Sequence, residues 1–237
     1  MTTTDDLNGK MAATTRGLSE IFSDYYRSNS WGDDETVSGV GSRLNSTVNL
    51  RSQLPALFEQ FEIKSILDAP CGDHNWFSQV ERGEIRYLGV DIVPELVEQN
   101  LQKYGDQTTD FIHLDITRDP LPAADLMICR DLLAHLSFKD IGRIFENIVN
   151  SDIKYLLLTH HHECTGNNDA YSGGYRPLNL ELFPFDFPEP LIAIDDWRED
   201  QTPRKMCLWE MQTIKSELNE MAEVLLSLRS HVIDQSP

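Results

Sequence analysis

Apolar residues in the middle of the chain fall into short runs that alternate with helical stripes. Ile66-Leu67, Tyr87-Leu88-Gly89-Val90, Phe111-Ile112, Leu126-Met127-Ile128-Cys129 and Ile153 to Thr159 are brief, rich in strand formers and bounded by polar or turn residues, so they predict buried strands. Between them run stripes at spacings of three and four. Leu44, Val48, Leu54, Leu57, Phe58 and Phe61 form one, interrupted at Pro55, which predicts a kinked helix or two short ones. Pro94 to Tyr104 forms another, its proline tolerated in the first turn, and Ile141, Ile144, Phe145, Ile148 and Val149 mark a third within Lys139 to Asn150. Strand and helix in alternation predict an α/β domain around a mostly parallel sheet.

The two ends read differently. Met1 to about Phe22 begins polar and then takes up a weak helical pattern through Leu18, Ile21 and Phe22. A loop follows, with Tyr25, Tyr26 and Trp31-Gly32 before Ser38-Gly39-Val40-Gly41-Ser42. Beyond Thr159 the alternation breaks at His160-His161-His162. A loop, Thr165 to Tyr175, leads into a stretch with Pro177, Pro184, Pro188 and Pro190 among three phenylalanines, which predicts a stiff apolar lid over the site. Leu191 to Ile194 and Lys205 to Trp209 predict short strands. Met211, Ile214, Leu218, Met221, Leu225, Leu228 and Val232 make a heptad seam. It either docks on its own domain, pairs with a second copy in a homodimer, or joins a fused further domain. The organisation expected is an N-terminal lid and helix over 1–62, a core over 63–210 with an acceptor insert at about 160–190, and a C-terminal helix or linker over 211–237.

Chemistry enters where the strands end. The first two runs stop on carboxylates, Asp68 and Asp91, and the third on Asp115. In an open parallel sheet, ligands bind beyond the carboxyl ends of the strands, and an acid ending the second strand suits the vicinal hydroxyls of a ribose. A diphosphate needs a glycine-rich turn at a helix N-terminus. Here only Gly72 is present, Pro70 lacks a donor, and Asp73 adds negative charge. A nucleoside bearing a cation fits better. The segment Asp68-Ala69-Pro70-Cys71-Gly72-Asp73-His74 resembles motif I, D-x-G-x-G-x-G, of the class I S-adenosylmethionine-dependent methyltransferases. Asp68 and Gly72 match, and Pro70 and His74 replace the outer glycines. Trp31-Gly32 and Ser38 to Ser42 ahead of it resemble a subgroup that tailors natural products.

That resemblance implies a Rossmann-like sheet of seven strands, the last antiparallel, with a helical N-terminal lid and a C-terminal helix. It implies S-adenosylmethionine held by Trp31 and Ser42 of the loop, by Asp68, Pro70, Cys71, Gly72 and Trp76 of the first turn, and by Asp91 and Ile92 at the ribose. Asp115 and Ile116 would lie at the adenine, and Arg130 and Asp131 near the transferred methyl. Methyl transfer to a hydroxyl needs a base and transfer to a carboxylate does not. Of the histidines, His160 is the first candidate and His135 the second, with His161 and His162 behind them. Arg176, Phe183 and Phe185 are the candidates for holding an acceptor. A metal is not expected, because adjacent histidines cannot converge on one ion.

Composition narrows the partners. The chain has 237 residues and a formal charge of -19, which opposes binding to phosphate backbones and anionic membranes. No apolar run spans a bilayer and no secretory leader is evident. Cys71, Cys129, Cys164 and Cys207 lack metal spacing and suit a reducing, cytoplasmic setting. The function expected is O-methylation of a carboxylate or hydroxyl on a small metabolite or peptide natural product. A nicotinamide (NAD)-dependent dehydrogenase would share Asp91, and a catalytically idle adaptor would share the whole fold.

Overall fold

A computed structural model describes residues 16–197 and 202–228. Residues 1–15 of the expected lid, together with Val232 and the tail of the expected seam, lie outside the described residues. The sheet has seven strands: β1 (Ser65–Asp68), β2 (Arg86–Asp91), β3 (Thr109–His113), β4 (Ala124–Cys129), β5 (Ile153–His160), β6 (Ile192–Asp195) and β7 (Lys205–Glu210). Their order is β3-β2-β1-β4-β5-β7-β6. β1 to β5 pair in parallel, and β7 runs antiparallel between β5 and β6. The helices are α1 (Leu18–Arg27), α2 (Val48–Gln60), α3 (Pro94–Tyr104), α4 (Phe138–Val149) and α5 (Met211–Ser227).

Both faces of the sheet are covered, which explains why the strands read as unbroken apolar runs. Successive residues of β4 enter opposite cores: Leu126 and Ile128 join the one built with α2, while Met127 and Cys129 join the one built with α4 and α5. Pro55 sits inside α2, which runs as one helix and not as two. β3 stops at His113, two residues short of the expected acid, so Asp115 lies in the loop beyond the strand.

The C-terminal seam takes the first of its three expected arrangements, and the proline-rich segment departs from the expected layout. Met211, Ile214, Leu218, Met221 and Leu225 are buried in the same core as α4, so the α5 seam is occupied within the chain. A side chain at Gly142 of α4 would approach Leu225 Cβ to 3.0 Å and the Ala222 carbonyl to 3.2 Å, which keeps the two helices close. The proline-rich segment is not a lid. Phe185 packs edge-on against Phe138 and Phe145 of α4, and Phe187 packs against Trp209 of β7.

Candidate functional site

Strand order reverses between β1 and β4, and a cavity of about 800 Å³ opens at the carboxyl ends of the strands there. Every residue expected at a cofactor lines it: Trp31 and Ser42; Asp68, Pro70, Cys71, Gly72 and Trp76; Asp91 and Ile92; Asp115 and Ile116; and Arg130 and Asp131. The acids are built into the wall in different ways. Asp91 accepts hydrogen bonds from the backbone N–H of Gly72 at 3.1 Å and of Val93 at 3.0 Å, which ties the β1 turn to the end of β2. Burial pushes its carboxyl up to about 6 against those donors. Asp68 accepts from the Tyr87 hydroxyl at 2.7 Å, and burial pushes it up to about 7 despite Tyr87 and Arg130. Asp115 accepts from the N–H and hydroxyl of Thr117, which shapes the loop after β3.

Asp73 does not face a cofactor cation. Its carboxylate accepts from Val37 N at 3.1 Å and the Ser38 hydroxyl at 3.3 Å, so it fastens the N-terminal loop over the β1 turn. Gly72 makes the approach possible. It has φ +54°, and a Cβ there would lie 2.3 Å from Ser38 Oγ. Across the cavity, Arg130 makes a bidentate pair with buried Asp196 at 2.8 and 3.1 Å. It also donates to Ser42 Oγ and the Gly41 carbonyl, and lies 5.3 Å from the Trp76 ring centre. Asp131 sits 3.2 Å from Arg204, and despite burial Arg204 and Arg130 hold its carboxyl below the usual range. The pairing of Arg130 with Asp196 had no sequence signal, and neither did the presence of Tyr175 and Arg204 in the wall.

The histidines are reordered. His160 does not line the cavity. It is 2% exposed at the end of β5, and its Nδ1 accepts from Leu180 N at 3.0 Å. His161 is equally buried and accepts from Leu178 N. His135, in the turn Leu133–His135, lines the cavity beside Trp31 and Tyr175. Its Nδ1 meets the Gly174 carbonyl at 2.7 Å. A carbonyl only accepts, so Nδ1 carries the proton and Nε2 of the neutral ring carries a lone pair. Burial lowers the pKa of His135, which keeps the ring neutral.

The expected acceptor residues also move. Arg176 donates to the carbonyls of Leu133 and Asn168, which staples two loops together. Phe183 is 65% exposed and Phe185 fully buried, and none of these three lines the cavity. Tyr25, Trp31, His135 and Tyr175 line the cavity instead, in a series of ring contacts of 5.6, 6.1 and 5.3 Å. Among the described residues no group of His, Cys, Asp and Glu could hold a metal ion, and no helix is long and apolar enough to cross a membrane.

A methyltransferase-domain family profile matches residues 66–151. No curated protein resembles the chain closely enough in sequence to count as a relative. Solved structures share the fold. A SAM-dependent methyltransferase from Leishmania major is 14% identical over 84% of this chain and 89% of its own, with a TM-score of 0.62. Magnesium protoporphyrin IX methyltransferase from Synechocystis, with bound S-adenosylhomocysteine, is 13% identical over 80% and 98%, with a TM-score of 0.58. Human N-acetylserotonin methyltransferase, solved with S-adenosylmethionine, is 19% identical over 62% of this chain, with a TM-score of 0.47; the chain spans 42% of its length. The matched residues form β1 to α4, so this part of the chain resembles the methyltransferase-domain family, and the whole sheet, with acids at or just beyond three strand ends, has the Rossmann-like class I methyltransferase fold.

Proposed function

We propose that the chain is an O-methyltransferase that takes the methyl group of S-adenosylmethionine to a hydroxyl on a small metabolite or peptide-derived product. The donor set suits that cofactor. Asp91 is available to a ribose, Asp115 and Ile116 to an adenine, and Asp68 to a cationic end. The β1 turn leads only to the short 3₁₀ turn Phe77–Gln79, which offers a diphosphate no long-helix N-terminus. The bound cofactor supplies an electrophilic methyl carbon. The protein's own part is alignment and proton removal.

The observation that carries the hydroxyl reading is the Nε2 lone pair of His135. The acceptor proton passes to Nε2, and the Gly174 carbonyl supports the charge that develops on the ring through Nδ1–H. The aromatic wall from Tyr25 to Tyr175 favours an acceptor that presents its hydroxyl on an apolar or ring-bearing body. A carboxylate acceptor is the second reading and requires no base. Labelled methyl transfer to an extract-derived acceptor pool separates the two. On the hydroxyl reading His135→Gln lowers kcat by about 10²–10⁴-fold with cofactor affinity unchanged, and the product resists mild base. Undiminished turnover with a base-labile ester product identifies the carboxylate instead.

A further inference from the structure

His74 stands where the resembled motif has a glycine, and its own backbone takes a positive φ. Its φ is +56°, a left-handed conformation that costs a residue with a side chain something to hold. The ring turns away from the cavity into an aromatic nest, with centres 4.6 Å from Tyr87, 4.9 Å from Tyr104 and 5.1 Å from Phe111. There its Nδ1 lies 3.0 Å from the Tyr87 hydroxyl, whose oxygen lies 2.7 Å from Asp68 Oδ2. All three side chains are buried.

The proton positions follow from chemistry. A charged carboxylate only accepts, so the single phenolic proton of Tyr87 points to Asp68, and the phenolic oxygen is left to accept from His74 Nδ1–H. Two donors in series thus feed one oxygen of Asp68, each polarising the next. Among the described residues Oδ1 accepts no hydrogen bond, and Asp68 lines the cavity. The other groups bearing on Asp68 are Arg130, which favours its charge, and Asp91, which opposes it. The Cys71 and Cys129 thiols beside it are held uncharged by burial.

We infer that Tyr87 and His74 are positioning residues that hold the Asp68 carboxylate charged and oriented toward the cationic end of the cofactor. The inference rests on the cofactor reading above and adds a buried relay to it.

Tyr87→Phe keeps the packing and removes one proton. In the ligand-free protein, a ¹³C-carboxyl titration then shows Asp68 moving up by about one pH unit relative to wild type. S-adenosylmethionine affinity near pH 7 falls about fivefold and recovers as pH approaches 9. His74→Ala moves both readouts the same way. His74→Asn, whose amide donor takes the place of Nδ1 and whose backbone tolerates the left-handed region, restores them. If Asp68 titrates identically in Tyr87→Phe and wild type, or if His74→Asn is as damaging as His74→Ala, the relay is overturned while the cofactor reading stands. A wild-type protein that binds no S-adenosylmethionine overturns both.

Discussion

Asp68 faces two opposed demands. It must be charged to meet a cation, yet it sits 2% exposed beside Asp91, and burial holds its proton to about 7. Because that value is raised above the one in the unfolded chain, the folded state keeps the proton longer. The stability Asp68 contributes is complete below about pH 4 and is lost as pH rises through 7. Asp68→Asn therefore gains on wild type between pH 5 and pH 8, by on the order of 2 kcal/mol or about 4–8 °C in Tm, while cofactor affinity collapses. Thermal melts of the ligand-free proteins at the two pH values check this. Asp68 was legible in the sequence as an acid ending a strand. Its dependence on Tyr87 was not, because the two lie nineteen residues apart and meet only across paired strands.

At the scale of elements, the N-terminal loop and α5 show how much a pattern leaves open. The aromatic and glycine content of Trp31 to Ser42 marked a loop that belongs near the site, and the structure attaches it there through Asp73, thirty-five residues from Ser38. Asp73→Ala removes the acceptor for Val37 N and the Ser38 hydroxyl. The expected result is weaker cofactor binding by about tenfold, a stability loss of only about 1–2 kcal/mol, and new protease cleavage within residues 36–42. Isothermal titration with limited proteolysis checks both halves. The heptad seam was equally plain in sequence, but spacing cannot say which surface covers it. Leu218 at 0% exposure and the approach of Leu225 to Gly142 make α4 the answer. The same holds for Phe185, whose proline-rich setting suggested a lid and whose ring fills the core.

For the whole molecule, pH acts through groups of both signs. Burial brings His74, His160 and His161 each to about 4, so acid protonates the unfolded chain first. Their contribution is present above about pH 6.5 and is lost as pH falls through 4. Asp91 at about 6 and Asp68 at about 7 act in the opposite direction. Below pH 6.5 these three histidines, joined by His135, outweigh Asp68 and Asp91, and above it Asp68, joined by Asp196, which burial also raises, pulls the other way. Stability of the ligand-free protein thus peaks near pH 6–7, and a series of denaturant melts from pH 4 to 9 reads the peak directly. The formal charge of -19 leaves the long-range field hostile to anions and favourable to a cationic ligand. S-adenosylhomocysteine at a hundredfold its dissociation constant adds about 2.7 kcal/mol, a Tm rise of about 5–10 °C, and NAD adds none.

By itself the sequence determined the alternation of strands and helices and the acids at or just past three strand tips. Those features are local: a strand buried on both faces must be apolar along its length, and the residue that leaves it meets whatever lies beyond the sheet. Only the tertiary structure decided which histidine reaches the cavity, that Arg130 is held by Asp196 sixty-six residues away, and that His74 turns inward to serve Asp68. Partners so distant in the chain are chosen by strand order and loop path. A buried polar group takes the nearest donor or acceptor that the closed fold supplies, whatever its sequence position.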